Sequence, residues 1–317
     1  MSSYARIDTL SPLNEMDKGV SIPQAYAQGI EFLYAIVLFI INDYPLVITP
    51  TLLSGTILGG PSDLPSVGAA FVWLNLHLLA FNIQNQLAGI EEDRLCKPFR
   101  PLPAGRISVK NARFLYFAVV AASVAWSFRH GLLPLSIIYS GGTWFYNEYG
   151  LAANPFLKTP MCGIAYICYT GGAAFIIGHH QTLTMKSIYA ILTSGLIFGL
   201  TGHMQDFRDR SGDALMGRRT IPLILPQAVA RWSLLLIISA FTYALVTMWS
   251  PPILVTCVFA LFALITVTTL VATHSEEKDR VNFHWYEGWL ICAHLLPLFR
   301  RISDGELALP GQLLFVQ

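Results

Sequence analysis

Asp206, Asp209 and Asp213 are spaced i, i+3 and i+7, which on a helix places three carboxylates on one narrow face. With nothing bound, such a face repels itself. Arg208, Arg210, Arg218 and Arg219 lie around the acids. Carboxylate oxygens set among guanidinium groups suit a phosphorylated molecule bridged by Mg²⁺. The apolar run Gly195–Gly202 leads directly into the acids, and carboxylates at the mouth of a membrane helix cost enough to mark a site. A solvated acidic loop is the plain alternative, but soluble loops seldom space three Asp on one face.

A second stretch, Asn85-Gln-Leu-Ala-Gly-Ile-Glu-Glu-Asp93-Arg-Leu-Cys-Lys-Pro-Phe-Arg-Pro101, repeats the pairing of acids with bases. On a helix Asn85, Gly89, Glu92 and Asp93 share one face of about 100°. The rise from Asn85 to Asp93 is about 12 Å, too long for one ion to touch both. A diphosphate carrying several Mg²⁺ would bridge that length, with the Asp triad closing the cage from the opposite side. The prolines of Lys97–Pro103 interrupt any helix, so this segment becomes a stiff basic loop over the site. An anchor for anionic lipid would explain its Lys and Arg but not the acids before them.

The elements that must hold these residues are membrane helices. Of 317 residues, 54% are hydrophobic and only 12% charged, outside the range of ordinary soluble domains. Apolar blocks of about 17–25 residues match the hydrocarbon thickness. Spans are expected at 44–60, 67–88, 111–128, 132–147, 160–179, 186–205, 222–247, 251–273 and 285–299, which makes one all-α, nine-helix membrane domain over 1–317. Residues 1–43 form an N-terminal cytosolic or interfacial segment. Gln24, Gln28 and Glu31 favour an interfacial helix leading into the first span at Asp43-Tyr44-Pro45. The first 20 residues are polar and show no secretory signal.

With nine crossings, 16 of the 20 basic residues fall on one side, including Arg6, Lys18 and both acidic stretches. Arg129, Lys186, Arg300 and Arg301 remain opposite. The positive-inside rule makes the first side cytosolic, and with residues 24–41 as a tenth crossing the bias is still 14 to 6. The expected location is a multi-pass position in the endoplasmic reticulum membrane with the site open to the cytosol. The bilayer and a small-molecule substrate are the expected partners; nothing points to nucleic acid or an obligate protein partner. Five cysteines (96, 162, 168, 257, 292) have neither metal-ligand spacing nor a disulfide framework.

The two stretches together resemble the UbiA superfamily of intramembrane prenyltransferases. The family's first motif, Asn-Asp-x-x-Asp-x-x-x-Asp with trailing Arg, Lys-Pro, Arg-Pro and Gly-Arg, is matched by Asn85, Asp93, Arg94, Lys97-Pro98, Arg100-Pro101 and Gly105-Arg106. The second, Asp-x-x-Asp-x-x-x-Asp, is intact as Asp206, Asp209 and Asp213, followed by Gly217-Arg218-Arg219-Thr220. Gln86 and Gly89 replace two aspartates of motif one, Glu91 and Glu92 add acids before Asp93, and Cys96 stands where the family usually has Asn. This remodelled pattern is similar to the fungal branch that includes membrane-bound terpene cyclases.

The resemblance implies a class I reaction on farnesyl or geranylgeranyl diphosphate, in which Mg²⁺ draws off diphosphate and leaves an allyl cation that cyclises. It implies Asn85, Glu92, Asp93, Asp206, Asp209 and Asp213 as Mg²⁺ ligands, the four aspartates as catalytic, and Arg94, Arg100, Lys158 and Arg210 on the diphosphate. Prenyl transfer to an aromatic or other acceptor is the alternative. A transporter is a rival from another class, but both acidic motifs close spans on the same side rather than meeting at the midplane.

Deeper residues are expected to be apolar. Phe81, Leu78, His77 and Leu74 share Asn85's side at helical spacing, and His203, Gly202, Gly199 and Gly195 share that of Asp206. The glycines favour close helix packing over an isoprenoid channel. Trp73, Trp144, Phe145, Tyr146, Tyr166, Tyr169 and Phe198 are candidates to stabilise carbocations. His77 and His203 read as hydrogen-bonded core histidines, and Asp43 as a helix-start residue rather than a ligand.

Overall fold

A computed structural model describes residues 22–60 and 62–306, with side chains from residue 29 onward. The expectations for Arg6, Lys18 and the final eleven residues lie outside the described residues, and those for Gln24 and Gln28 rest on side chains that are not described. The described chain is all helical: α1 (Ile22–Ile40), α2 (Thr49–Gly59), α3 (Leu64–Ala88), α4 (Ile90–Cys96), α5 (Val109–Arg129), α6 (Leu133–Glu148), α7 (Lys158–Ile177), α8 (Met185–Thr201), α9 (Met204–Phe207), α10 (Arg210–Leu215), α11 (Ile221–Ile224), α12 (Gln227–Trp249), α13 (Ile253–Ala272), α14 (Glu276–Leu295) and α15 (Pro297–Ser303).

Helices stand at all nine expected places, but seven are long and apolar enough to cross a membrane. Of the other two, α6 has only 16 residues, and α14 begins Glu276-Glu277-Lys278-Asp279-Arg280. The first span also differs from expectation. Residues 44–59 continue an apolar run that begins earlier, and Gly29–Gly59 is one 31-residue stretch long and apolar enough to cross a membrane. Within it the chain tightens to a 3₁₀ turn at Ile41–Asp43 and widens to a π turn at Tyr44–Ile48. Pro45 explains part of this, because it cannot donate to the helical ladder.

Helix α7 sits at the centre, packed on α2, α3, α6 and α8, while α12, α13 and α14 form a second group returned to α2 by α14. The α7–α8 seam runs through glycine. A Cβ on Gly163 would lie 2.5 Å from the carbonyl oxygen of Gly195, and one on Gly195 would lie 2.3 Å from Ile167. The expected glycine ridge is therefore a packing device. Exposed apolar residues such as Phe114, Phe117, Leu236, Tyr243 and Leu254 cover the outside, as lipid contact requires.

Candidate active site

Both acidic stretches fall where long helices break, and the breaks aim their side chains. Helix α3 ends at Gly89, and α4 restarts the chain with Glu92 and Asp93 on the inner side. Asn85, Gly89, Glu92 and Asp93 all line one cavity, as their shared face predicts. The second stretch is not the single helix its spacing suggests. The chain turns at Gly202-His203, forms α9, and turns again at Arg208-Asp209 before α10. The three aspartates therefore point at different cations, Lys158, Lys97 and Arg218, which offset the repulsion that remains among them. Cys96 meets Gly212 where the two stretches touch, its sulfur 3.3 Å from where a Cβ would stand.

Each mouth acid has a cation. Arg100 Nη1 donates to both oxygens of Asp93 at 2.9 Å. Lys97 Nζ donates to Asp209 Oδ2 at 3.2 Å, and Lys158 Nζ to Asp206 Oδ1 at 2.6 Å. Arg218 pairs with Glu92 and lies 3.7 Å from Asp213. Burial raises the Asp209 carboxyl, but Lys97 and Arg208 outweigh it and hold the group below the usual carboxylate range. For Asp213 burial wins and pushes the pKa up to about 6, against the pull of Lys158 and Arg218.

Of the expected residues, Asn85, Glu92, Asp93, Asp209, Asp213, Arg100 and Lys158 line the cavity. Asp206 is buried behind Lys158. Arg94 and Arg210 do not reach the lining. Arg94 is half exposed and paired with Glu91 at 2.6 Å. Arg210 turns outward to Asp279 (2.9 Å), Gln227 (2.9 Å) and the carbonyls of Phe207 and His274. It clamps the α9–α10 turn to α14 rather than facing a ligand. Lys97, Arg208, Arg218 and Asp43 line the cavity without having been singled out as ligands. Lys97, Arg218 and Asp43 have partners distant in sequence, Asp209, Glu92 and Asn82, which no local spacing marks.

Below the mouth the cavity, about 220 Å³ in volume, becomes apolar and aromatic, walled by Leu46, Leu78, Phe81, Tyr139, Tyr146, Tyr166, Tyr169 and Phe198. Tyr166 stacks on Phe198 with centroids 4.3 Å apart, and the hydroxyls of Tyr139 and Tyr169 bond to one another. Of the other aromatic candidates, Trp144 and Phe145 are exposed, and Trp73 is buried with its indole N–H on Ser127. His77 is the hydrogen-bonded core residue expected, held by the Trp73 carbonyl and Ser136 at 2.8 Å each. His203 is likewise buried and bonded to the Leu200 backbone, while its Nε2 has no partner among the described residues.

A family model, the UbiA prenyltransferase family, matches residues 47–290. The chain belongs to this family. A UbiA relative, the fumagillin beta-trans-bergamotene synthase of Aspergillus fumigatus, is 38% identical over 88% of this chain and 96% of its own length. The diterpene cyclase of Hericium erinaceus is 26% identical over 55% of this chain and 59% of its own. The UbiA fold itself is matched by a homolog from Aeropyrum pernix at TM-score 0.61 and 17% identity, covering 86% of this chain and 98% of that one. A homolog from Archaeoglobus fulgidus, solved with GPP and Mg²⁺, matches at TM-score 0.60 and 13% identity over 86% and 99%. The chain is thus an integral membrane enzyme of the UbiA family.

The donor set suits Mg²⁺. Asn85, Glu92, Asp93, Asp209 and Asp213 offer only hard oxygen donors. One oxygen of Asp213 is buried without a hydrogen-bond partner among the described residues, an orphan acceptor whose chemistry suits a cation. Among the described residues no three carboxylate, His or Cys side chains converge tightly enough to hold an ion alone. Mg²⁺ commonly takes one or two carboxylates and completes its shell with phosphate and water, so this arrangement fits an ion that arrives with a phosphorylated substrate.

Proposed function

We propose that this UbiA enzyme is a Mg²⁺-dependent terpene cyclase acting on farnesyl or geranylgeranyl diphosphate, its mouth opening to the cytosolic face of the endoplasmic reticulum membrane. The observation carrying the reading is the cavity, where a mouth of paired carboxylates and cations gives directly onto a narrow aromatic chamber. The 38% identity to a bergamotene synthase over nearly the whole chain supports cyclisation over transfer.

Asn85, Glu92, Asp93, Asp209 and Asp213, joined by Asp206 once Lys158 turns from it to the diphosphate, would hold Mg²⁺, which when bound supplies Lewis-acid stabilisation of the departing diphosphate. Lys97, Arg100, Lys158 and Arg218 stand at the mouth as preformed positive charge for the leaving group. Arg210 keeps the α9–α10 turn in place from outside, and Arg94 stays at the rim. The aromatic faces of Tyr146, Tyr166, Tyr169 and Phe198 then border the cationic chain. Ring faces of this kind contribute about 0.5–2 kcal/mol each. The walls keep water from the cation.

The test incubates purified protein with each prenyl diphosphate, Mg²⁺ and no acceptor. Cyclic hydrocarbon formed together with diphosphate is the expected result. Linear alcohol at hydrolytic rates, with turnover appearing only when an aromatic acceptor is added, would replace the cyclase by a transferase.

A further inference from the structure

Asp43 is the carboxylate of the cavity that stands apart. It lines the chamber, yet among the described residues it forms no ion pair, whereas Asp93, Asp209, Asp213 and Glu92 each have one. Its protein partner is an amide: Asn82 Nδ2 donates to Asp43 Oδ2 at 2.7 Å. A carboxylate within an apolar span is costly to keep there without a role.

The helix is built to present it. Asp43 ends the 3₁₀ turn Ile41–Asp43 in right-handed helical backbone. A π turn follows at once, a distortion common at functional sites. The departure from regular helix frees the carbonyl of Phe39, and the same Asn82 Nδ2 satisfies it at 2.7 Å. Asn82 therefore both repairs the break and fixes the carboxylate.

Helix α3 gives the depth. Leu78, Asn82, Asn85 and Gly89 line the cavity in order along it. At 1.5 Å per residue, Asn82 lies about 4.5 Å deeper than Asn85 and about 10 Å deeper than Gly89. Asp43 shares the depth of Asn82, and Leu46 and Val47 continue the apolar wall just beyond it. It therefore lies about one turn below Asn85, the deepest proposed metal ligand, beside the hydrocarbon and within electrostatic reach of Arg100, Arg208 and Lys97. Of the other bases nearby, His77 has both ring nitrogens bonded, the mouth acids are ion-paired, and His203, whose Nε2 is unpartnered among the described residues, lies outside the cavity lining.

We propose that Asp43 is the base that ends the reaction, with Asn82 as its positioning residue. This rests on the cyclase reading. A carboxylate oxygen of Asp43 takes a proton from the carbon next to the cationic carbon. The electron pair of that C–H bond becomes the new C=C bond, and the olefin is neutral. The resulting carboxylic acid gives its proton to diphosphate or water at the mouth before the next turnover.

Asp43→Asn, Asp43→Glu and Asn82→Ala are compared with the parent in detergent, measuring diphosphate release, hydrocarbon products, and binding of Mg²⁺ with inorganic diphosphate. For Asp43→Asn the cyclic olefin formed per diphosphate released should fall at least tenfold, with an alcohol or another double-bond isomer in its place. Mg²⁺–diphosphate binding should stay within about twofold, and Asp43→Glu should restore part of the olefin. The parent's olefin in the parent's ratio from Asp43→Asn overturns the assignment, and so does a matching loss of diphosphate affinity. If Asp43→Asn does not fold, Asn82→Ala decides, and an unchanged isomer ratio overturns the proposal. A parent that makes no hydrocarbon from any prenyl diphosphate alone removes the cyclase reading and this one together. A parent that makes olefin while Asp43→Asn does too removes only this one.

Discussion

Lys158 Nζ lies 2.6 Å from Asp206 Oδ1, both side chains nearly buried, and this pair ties the first residue of α7 to the acidic stretch after α8. Equivalent pairs hold Asp93, Asp209 and Glu92. These cations neutralise the acids; with substrate bound, the acids would face Mg²⁺ and the cations the diphosphate.

That exchange predicts cooperative binding. Mg²⁺ alone must displace cations, and diphosphate alone must displace carboxylates, whereas the two together re-pair every charge. Mg²⁺ affinity should rise at least about tenfold, roughly 1.4 kcal/mol, when inorganic diphosphate is present. Calorimetry on purified protein checks this. Equal affinity with and without diphosphate would mean the two do not share the mouth.

Asp209→Asn and Asp213→Asn should each abolish turnover without unfolding the protein, because each removes both a charge and an oxygen ligand. A variant that keeps more than about a tenth of the parental kcat at saturating Mg²⁺, a barrier change under ~1.4 kcal/mol, would lose its assignment as a ligand.

The arginines should separate by position. Arg100→Ala, which strips Asp93 of a bidentate partner inside the cavity, should lower kcat/KM at least tenfold. Arg94→Ala, at the exposed rim with Glu91, should change it less than about threefold, as expected for an exposed ion pair. Steady-state kinetics on both variants decides the order.

The outer clamp is a stability element. Arg231 is fully buried, donates to both Asp279 oxygens at 2.8 and 2.6 Å, and stacks 4.7 Å from the Phe207 ring. Arg231→Met leaves Asp279 buried with only Arg210 as a charged partner. Breaking a buried pair in this way costs about 3–5 kcal/mol. A clear drop in the thermal midpoint is expected, and an unchanged midpoint would count against the clamp.

Two glycines four residues apart should respond oppositely. A methyl at Gly195 would press into Ile167 and the Gly163 carbonyl, at 2.3 and 2.7 Å. Gly195→Ala should therefore cost about 1–3 kcal/mol through overpacking. At Gly199 the nearest atoms would be 3.8 Å away, and Gly199→Ala should stabilise α8 by up to about 1 kcal/mol. Thermal denaturation of the two variants tests the seam directly.

The sequence by itself determined the membrane class, the helix positions and the two acidic stretches, because hydropathy and spacing are properties of neighbours along the chain. Asn85, Gly89, Glu92 and Asp93 face the cavity because helical geometry over eight residues leaves little choice. The long-range relationships were decided only in three dimensions. Lys97 meets Asp209 across 112 residues, and Arg218 meets Glu92 across 126, pairings that no local period encodes. The turns at Gly202-His203 and Arg208-Asp209 separate the Asp triad, and they follow from contacts with α4, α7 and α14 rather than from local helix preference. Asp43 shows the difference most clearly. Beside Pro45 it reads as the start of a helix, but it closes a 3₁₀ turn inside one helical run from α1 to α2, and Asn82 of α3 holds its carboxylate at the cavity. Local chemistry sets which residues can act; packing between distant helices sets which of them face one another.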